Sequence, residues 1–509
     1  MSVIRFITTF LGGKIPGGPW LLLILLGLFS ITLWFVVRTS GMLEPWRVRQ
    51  ILVQGWATLI VGYFILWSVT KPESLPPTLL VTPFVDQTNE GWIGEALADC
   101  IGERLAFVGS DVHWIPWEVC PPLESELSVD SVWVQVKKMQ PAFAVWGSVR
   151  GRADSMRVEL HSARTSWGRT VRFSPVKRLF RSFDEAAASV VELTRTTTRI
   201  PWHAGKSPSI TDRSIKALEK YYGARRQLRK GKWESAQQLA AQAIAIDSTW
   251  SEPWSLKAIS IEHSDNAPEQ AVIAYTKALE LDSTNISNWR HYVSYAIRGH
   301  HWDLADSCLR AAYRLQRKNP VTLFLLSHLR ESRVQSIANM TPEQALELAL
   351  RLHPGYLDVR LKLARDYYDH GNLRKCRMTV RDGLDLYPTS WELWELLSNV
   401  SVREKKFNTA RIAIRRSMQL GGDRPSIWYN AGLVYFYLDS LSQAMTFLSR
   451  SVAVSGSSNG YYLLGRCAER QGDSTAAIEY YRQCVDWSTG DSDVAAEEAR
   501  RKIGIVSRK

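Results

Sequence analysis

Hydrophobic and polar positions divide the chain into three zones. Residues 15–37 carry no charge, and 20–37 is almost entirely Leu, Ile, Phe, Val and Trp. A second uncharged run covers 51–69. Each approaches the ~20 residues that a helix needs to cross the hydrocarbon of a bilayer. Trp20, Trp34, Trp46, Trp56 and Trp67 lie near the ends of these runs or just outside them, where an interfacial belt of aromatic rings belongs. The first run is too long for the apolar core of a signal peptide, and no small-x-small cleavage site follows before Arg38. The pattern predicts a two-helix anchor within residues 1–70, with transmembrane spans of about 17–37 and 51–69. Two crossings leave the N-terminus and the large region after Val69 on one side. Arg38, Arg47 and Arg49 in the connecting loop balance Arg5, Lys14 and Lys71 opposite, so charge does not orient the hairpin.

Past the polar, Pro-containing stretch 71–77 the periodicity changes. Residues 78–84 (TLLVTPF) read as a buried strand, and Ile93, Leu97, Ile101 and Leu105 give 92–108 a helical spacing. Residues 112–117 read as a strand, 129–139 as an amphipathic helix, and 142–149 and 155–160 as strands joined by a hairpin at 151–154. A further strand is expected at 170–173 and a closing helix at 183–196. The zone 76–198 is therefore expected to be a small α+β domain. Pro201, Gly205 and Pro208 mark 199–210 as a linker.

This order resembles the TolB amino-terminal-like domain. The likeness rests on the strand ending in Pro83 and Phe84, the turn 86–89, the run Gly94-Glu95-Ala96-Leu97, and Ala144-Val145-Trp146-Gly147-Ser148-Val149 before the hairpin. The resemblance implies a non-catalytic structural or assembly domain that is extracytoplasmic when it follows a transmembrane helix. Arg150, Arg152, Arg157, Arg164, Arg169, Arg172, Lys177, Arg178 and Arg181 crowd one stretch of this domain, 150–181, where only Asp154 and Glu159 oppose them. Two readings stand: a patch for anionic lipid headgroups or an acidic partner, or the solvated face of a sheet hairpin.

From residue 211 the chain repeats. Ala236, Ala271, Ala305, Ala410, Ala444 and Ala477 recur at intervals near 34, with one gap of 105, and Cys376 fills a slot one interval before Ala410. Trp254, Trp289, Trp394 and Trp428 keep the same period. Two series in one phase signal a helical solenoid, in which Gly or Ala allows close helix approach and larger side chains fill the gaps. The pattern resembles the tetratricopeptide repeat, most clearly in Trp428, Ala431-Gly432, Tyr435, Ala444 and Leu448. It continues in Leu464-Gly465, Gly472, Ala477, Tyr481 and Cys484, and in Leu363-Ala364, Tyr367, Gly371, Leu384 and Pro388. About eight units are expected over 211–490, the weakest at 321–354 with a loop near 339–341. A capping helix and tail follow at 491–509. The resemblance implies a concave groove that binds protein partners. Lys257, Arg290, Arg298, Arg360 and Arg365 on first helices are candidates to meet an acidic segment there, or else plain surface charge.

Composition narrows the function. With 45% hydrophobic and 22% charged residues the 509-residue chain is not wholesale disordered. Lys plus Arg outnumber Asp plus Glu by 63 to 50, an excess that suits anionic lipid, whereas nucleic acid is not expected because no recognition motif accompanies it. Six cysteines without a CxxC exclude a disulfide scaffold and a zinc finger. Cys100 and Cys120 would be free to pair only in an oxidising compartment. His291, His300, His301 and Asp303 lie close in sequence but fit a repeat turn better than a metal site. No phosphate loop, dinucleotide fingerprint or hydrolase motif is present, so no cofactor and no enzymatic activity are expected. The expectation is a scaffold or adaptor of the bacterial inner membrane. Its soluble region would lie on the N-terminal side, which the resemblance places in the periplasm. The alternatives are a sensory or regulatory membrane protein without its own output domain, and a non-catalytic subunit of a larger membrane complex that contacts other membrane subunits.

Overall fold

The computed structural model describes residues 77–506 apart from 89, 106–112, 116–128, 153, 167–168, 199–212, 265–267 and 489–492, together with Gln54. The spans expected at 17–37 and 51–69 lie, Gln54 aside, outside the described residues. Among the described residues no helix is long and apolar enough to cross a membrane. The chain divides into Met1–Leu75 and Pro76–Lys509, and the second unit holds everything that follows.

Its first part is a seven-stranded mixed sheet. β1 (Thr78–Val81) and β2 (Val85–Thr88) lie end to end along β4 (Phe143–Arg152), both parallel to it. One strand was expected over 78–84 and a turn at 86–89; instead Pro83, with no N–H to donate, interrupts the ladder, and β2 resumes it where the turn was expected. The gap is bridged by Thr82 N to Val145 O (3.1 Å) and Phe84 N to Gly94 O (3.2 Å). β3 (His113–Ile115) flanks β1 in parallel. β4 turns tightly into β5 (Ser155–Ser166), with Arg152 facing Ser155. The far edge of β5 carries β6 (Arg169–Arg172) and β7 (Val176–Phe180), both antiparallel. β7 escapes a sequence reading, since Phe180 is the sole fully buried residue of VKRLF.

Strand alternation assigns each face its helices. Leu79, Val81, Val145, Val149, Val158 and Leu160 pack under α1 (Ile93–Leu105) and α3 (Phe183–Thr198). Leu80, Ala144, Trp146 and Ala163 face α2 (Val129–Met139) through Val132, Val136 and Met139. A Cβ on Gly147 would lie 2.2 Å from Glu159 O and 2.6 Å from the Phe84 ring, so the strand must be bare there.

Helical hairpins follow: α4 (Ile215–Arg229) with α5 (Trp233–Ile246), α6 (Ser251–Ser264) with α7 (Pro268–Leu281), and α8 (Ile286–Arg298) with α9 (Trp302–Leu315). After an irregular segment come α13 (Leu357–Asp369) with α14 (Leu373–Leu386), α15 (Trp391–Arg403) with α16 (Phe407–Gly421), α17 (Pro425–Tyr437) with α18 (Leu441–Ser455), and α19 (Ser458–Gln471) with α20 (Ser474–Asp486). α21 (Val494–Val506) covers the end. In six of these hairpins the turn carries one left-handed residue. Gly231, Gly371 and Gly472 supply it, while His300, Lys405 and Asp439 adopt the same conformation against its steric cost.

Ala236, Ala271, Ala305, Ala410, Ala444 and Ala477 each stand fourth in the second helix of a hairpin and are fully buried, as is Cys376. Across from this helix the first helix is also small. A Cβ on Gly432 would meet Leu448 at 2.4 Å, and one on Gly465 would meet the Tyr481 ring at 2.5 Å.

The irregular segment has three helices, α10 (Pro320–Leu326), α11 (Glu331–Ala338) and α12 (Pro342–Leu352). Asn339 turns the chain with φ 52°, and Thr341 caps α12 in a reciprocal capping box with Gln344. Ala345, fourth in α12 and fully buried, occupies the small-residue slot that the sequence period leaves blank. The inserted helix α11 displaces it from the regular interval. His353, at the end of α12, is fully buried, and burial together with the nearby Arg360 charge lowers its pKa to about 3. The unfolded ring titrates at its ordinary 6.5, so this contribution is whole above 6.5 and is lost as pH falls from there towards 3. His353→Leu is expected to flatten the acid side of the stability profile, read as thermal midpoints in neutral and acidic buffer. An unchanged slope would contradict the assignment.

The sheet domain and the array share one core. Leu218, Tyr221 and Tyr222 of α4 join Trp92, Ile93, Leu97 and Ile101 in a single cluster, with Trp92 stacked on Tyr222 at 6.0 Å. Asp99 accepts from Arg225 (2.5 Å) and from the Tyr222 hydroxyl (2.9 Å) inside it. A second contact lies at the opposite face of the sheet domain. Lys138 Nζ donates to Asp385 O (2.7 Å), Leu386 packs on the α2 core, and a Cβ on Gly355 would lie 2.2 Å from Met139. The domain thus bridges the first hairpin and the one formed by α13 and α14.

Candidate partner-binding surface of the helical array

First helices of neighbouring hairpins pack on one another, α4 with α6, α6 with α8, α13 with α15, α15 with α17 and α17 with α19. These contacts draw the first helices into one layer, here the inner one, and leave the second helices as the outer one.

Three arginines lock this inner layer. Arg298 in the last turn of α8 chelates Glu262 of α6 at 2.7–2.9 Å. Arg403 at the same place in α15 donates to Tyr368 O (2.6 Å) with its guanidinium 4.6 Å from that ring. Arg470 in α19 reaches Phe436 O (3.3 Å) and lies 4.2 Å from the Phe436 ring. Arg229, in the last turn of α4, does the same to Glu95 of α1. α1 therefore stands where a preceding first helix would, and the sheet domain caps the array. These arginines form a third periodic series in the sequence, overlooked because basic residues on helices are ordinarily read as surface charge.

The tryptophan series plays a different part from the gap filling expected of it. Trp428 is buried beside Arg450, its ring 4.9 Å from the guanidinium. Trp254, Trp289 and Trp394 are half-buried. The indole N–H groups of Trp289 and Trp394 donate to Ser283 O and Pro388 O, both at 2.8 Å, and fasten the turn that enters each first helix. The residue before each tryptophan, such as Leu393 or Ile427, takes the core position.

Of the basic residues expected to meet a partner, Arg298 is spent on Glu262 and Arg360 is buried, donating to Pro354 O (2.6 Å) and Thr379 O (3.2 Å). Lys257 lies over the Trp254 ring at 5.5 Å, and Arg290 bonds His291 at 3.0 Å. Arg365 instead faces a cluster of carboxylates. Burial raises the pKa of Asp358, and the Glu392 charge raises it further, while Arg365 opposes both. Burial also raises Glu395, offset by hydrogen bonds from Asn430 (2.8 Å) and Ser426 and by the Arg365 charge. Asn399, one turn along α15 from Glu395, has a buried side-chain oxygen with no hydrogen-bond partner among the described residues. Tyr429 and Leu433 of α17 are half-buried beside it in sequence register, and Tyr437 is 48% exposed. The inner face of α13, α15 and α17 is thus a mixed polar and aromatic surface with an unmet acceptor, suited to an extended peptide or a helix.

The nine basic residues of the stretch 150–181 do not form one surface. Arg150 and Arg157 pair across the hairpin, near Arg152, Lys177, Arg178 and Arg181. Arg164 faces Phe143 at the other end of β5, seven residues and roughly 23 Å from Arg157, with Arg169 close by. Arg172 is structural, its guanidinium 5.7 and 5.5 Å from the Trp133 and Trp146 rings and 2.9 Å from His161 Nδ1. Lys177 pairs with Glu159 at 3.2 Å.

Among the described residues no group of three His, Cys, Asp or Glu side chains could hold a metal ion. Burial pushes the Cys467 and Cys484 thiols up to about 11, which makes them poor nucleophiles. Cys100 is buried in the α1 core, and Cys120 lies outside the described residues.

A family model for the tetratricopeptide repeat matches residues 458–491. Among solved structures, a chain of the APC/C hetero-tetramer Cut9-Hcn1 is similar at 14% identity and a TM-score of 0.44, over 56% of this chain and 55% of that one. This chain therefore spans about half the length of that relative. Two crystal structures of MamA are similar at 20% and 16% identity. They cover 34% and 40% of this chain and 95% and 92% of theirs, with TM-scores of 0.28 and 0.24. No curated protein matches the sequence. Residues 458–491, the hairpin of α19 and α20, are a tetratricopeptide repeat, the last of a series of helical hairpins built on the same plan.

Proposed function

We propose that this protein is a membrane-anchored scaffold that binds protein partners through the inner face of α13, α15, α17 and α19. The observation that carries the reading is the unpartnered Asn399 acceptor among Glu392, Glu395, Arg365 and Tyr429 on that face. The chain itself leaves this one buried acceptor unsatisfied, a cost that a rearrangement of α15 on partner binding would relieve. The uncharged runs 17–37 and 51–69 supply the anchor, a hairpin in a bacterial inner membrane. The TolB-like character of the sheet domain favours a periplasmic soluble region.

The test uses the full chain captured from membranes. Asn399→Arg and Tyr429→Glu are expected to lose the proteins that the wild type retains, with α-helical content unchanged. Retention of the same proteins by both variants would sink the proposal. Reporter fusions after Val69 test the orientation separately: an active cytoplasmic reporter would refute the periplasmic assignment.

A further inference from the structure

The outer layer carries a second surface, distinct from the inner face. Its centre is two exposed apolar side chains, Met378 of α14 (54% exposed) and Ile412 of α16 (65% exposed). They are 34 positions apart and so occupy the same place on successive second helices. Arginines match in the same register: Arg377 with Arg411, and Arg381 with Arg415. Arg374 lies one turn before Met378 on its stripe, and Arg416 one turn after Ile412.

Of these six guanidiniums one is paired with a carboxylate and two bond neutral groups. Arg377 pairs with Glu404 at 2.5 Å, Arg415 donates to the Tyr435 hydroxyl (3.1 Å), and Arg416 donates to the Gln419 side chain (3.2 Å). Among the described residues no carboxylate pairs with Arg374, Arg381, Arg411, Arg415 or Arg416. α16 has no acidic residue, and of those in α14, Asp382 lies beside Arg381 while Asp385 is in the turn next to α2. The patch is also narrow. One hairpin further on, the matching places are Thr446 and Ser449. One hairpin back, Glu347 takes the place of Met378 and pairs with Lys375 at 3.2 Å.

We propose that this outer face of α14 and α16 docks an acidic amphipathic helix of a partner protein. An apolar stripe on such a helix covers Met378 and Ile412, and Glu or Asp on its flanks meets the arginines on either side. The two-helix width favours a single helix over a membrane plane, which would need the apolar and basic character to continue across neighbouring hairpins.

The test measures binding of the purified full chain to a synthetic helix with a leucine stripe flanked by glutamates. A scrambled peptide of equal charge and vesicles of phosphatidylglycerol serve as comparisons. The helix is expected to bind more tightly than the scrambled peptide, and at least tenfold less tightly to Met378→Ser/Ile412→Ser and to Arg381→Glu/Arg415→Glu. The inner-face variant Asn399→Arg is expected to bind as the wild type does, which separates this surface from the one proposed above. Met378→Ser alone, a surface change, keeps the test valid if a double variant fails to fold. Equal binding of the scrambled peptide would overturn the proposal. So would unchanged affinity in the apolar variants, or vesicle binding that the same substitutions abolish while the helix does not bind.

Discussion

Replacing Asp99 with alanine is expected to destabilise the protein by about 3–5 kcal/mol, the range for breaking one side of a buried ion pair. Asp99 and Arg225 are each 8% exposed at the side chain, and their 2.5 Å contact joins α1 to α4. Without the carboxylate, the guanidinium stays buried beside the Tyr221 and Tyr222 rings, 5.6 and 5.3 Å away, with its main counter-charge removed. The Tyr222 hydroxyl loses its acceptor as well. Removing both charges is a different matter. Asp99→Leu with Arg225→Met fills the same volume with apolar groups and is expected to recover most of the loss, because the desolvation of two ions is removed along with their attraction. Urea midpoints of the full chain distinguish the cases. A double variant as unstable as Asp99→Ala would show that packing, not the stranded charge, sets the cost.

The second large effect is expected at Tyr481→Ala, again about 3–5 kcal/mol for deleting a fully buried aromatic side chain. Tyr481 is 0% exposed. Its ring fills the space above Gly465, 2.5 Å from where a Cβ would lie, and its hydroxyl donates to Glu469 at 2.9 Å. Here the location of the loss is more informative than its size. Hairpins in a solenoid contact only their neighbours, so the loss should stay local. Hydrogen exchange should show α19, α20 and α21 losing protection while α4 to α9 keep theirs. Uniform loss along the chain would mean that the array folds as one cooperative unit, and the bridge from the sheet domain to α13 and α14 would be the natural cause.

The two effects also mark what a sequence can and cannot disclose. The alanine slots were legible because a buried small residue recurs wherever two helices cross closely, and the period survives any change around it. Ala345 was not, because α11 shifts it off the period. Strand alternation likewise exposed β1, β4 and β5, each packed on both faces, but not β7, an edge strand with one buried side chain. The half-buried tryptophans were visible as a series, yet their work lies in a hydrogen bond to a preceding turn, which spacing alone does not reveal. The inner-face cluster was the least legible. Arg365 stood out as a candidate, but Asp358, Glu392, Glu395 and Asn399 are ordinary helix residues in sequence, and only superposing hairpins brings them together. The same holds for Asp99 and Arg225, far apart in the chain and separated by a linker.

The central claim is that partners bind the inner layer of the array. Site-specific photo-crosslinking in membranes tests it most directly, with the probe placed at Asn399 or Tyr429 on the inner face and at Ile273 or Thr446 on the outer one. The account predicts covalent adducts to the same partner from both inner positions and none from the outer pair. Adducts of equal yield from both faces, or none from Asn399 and Tyr429, would contradict it.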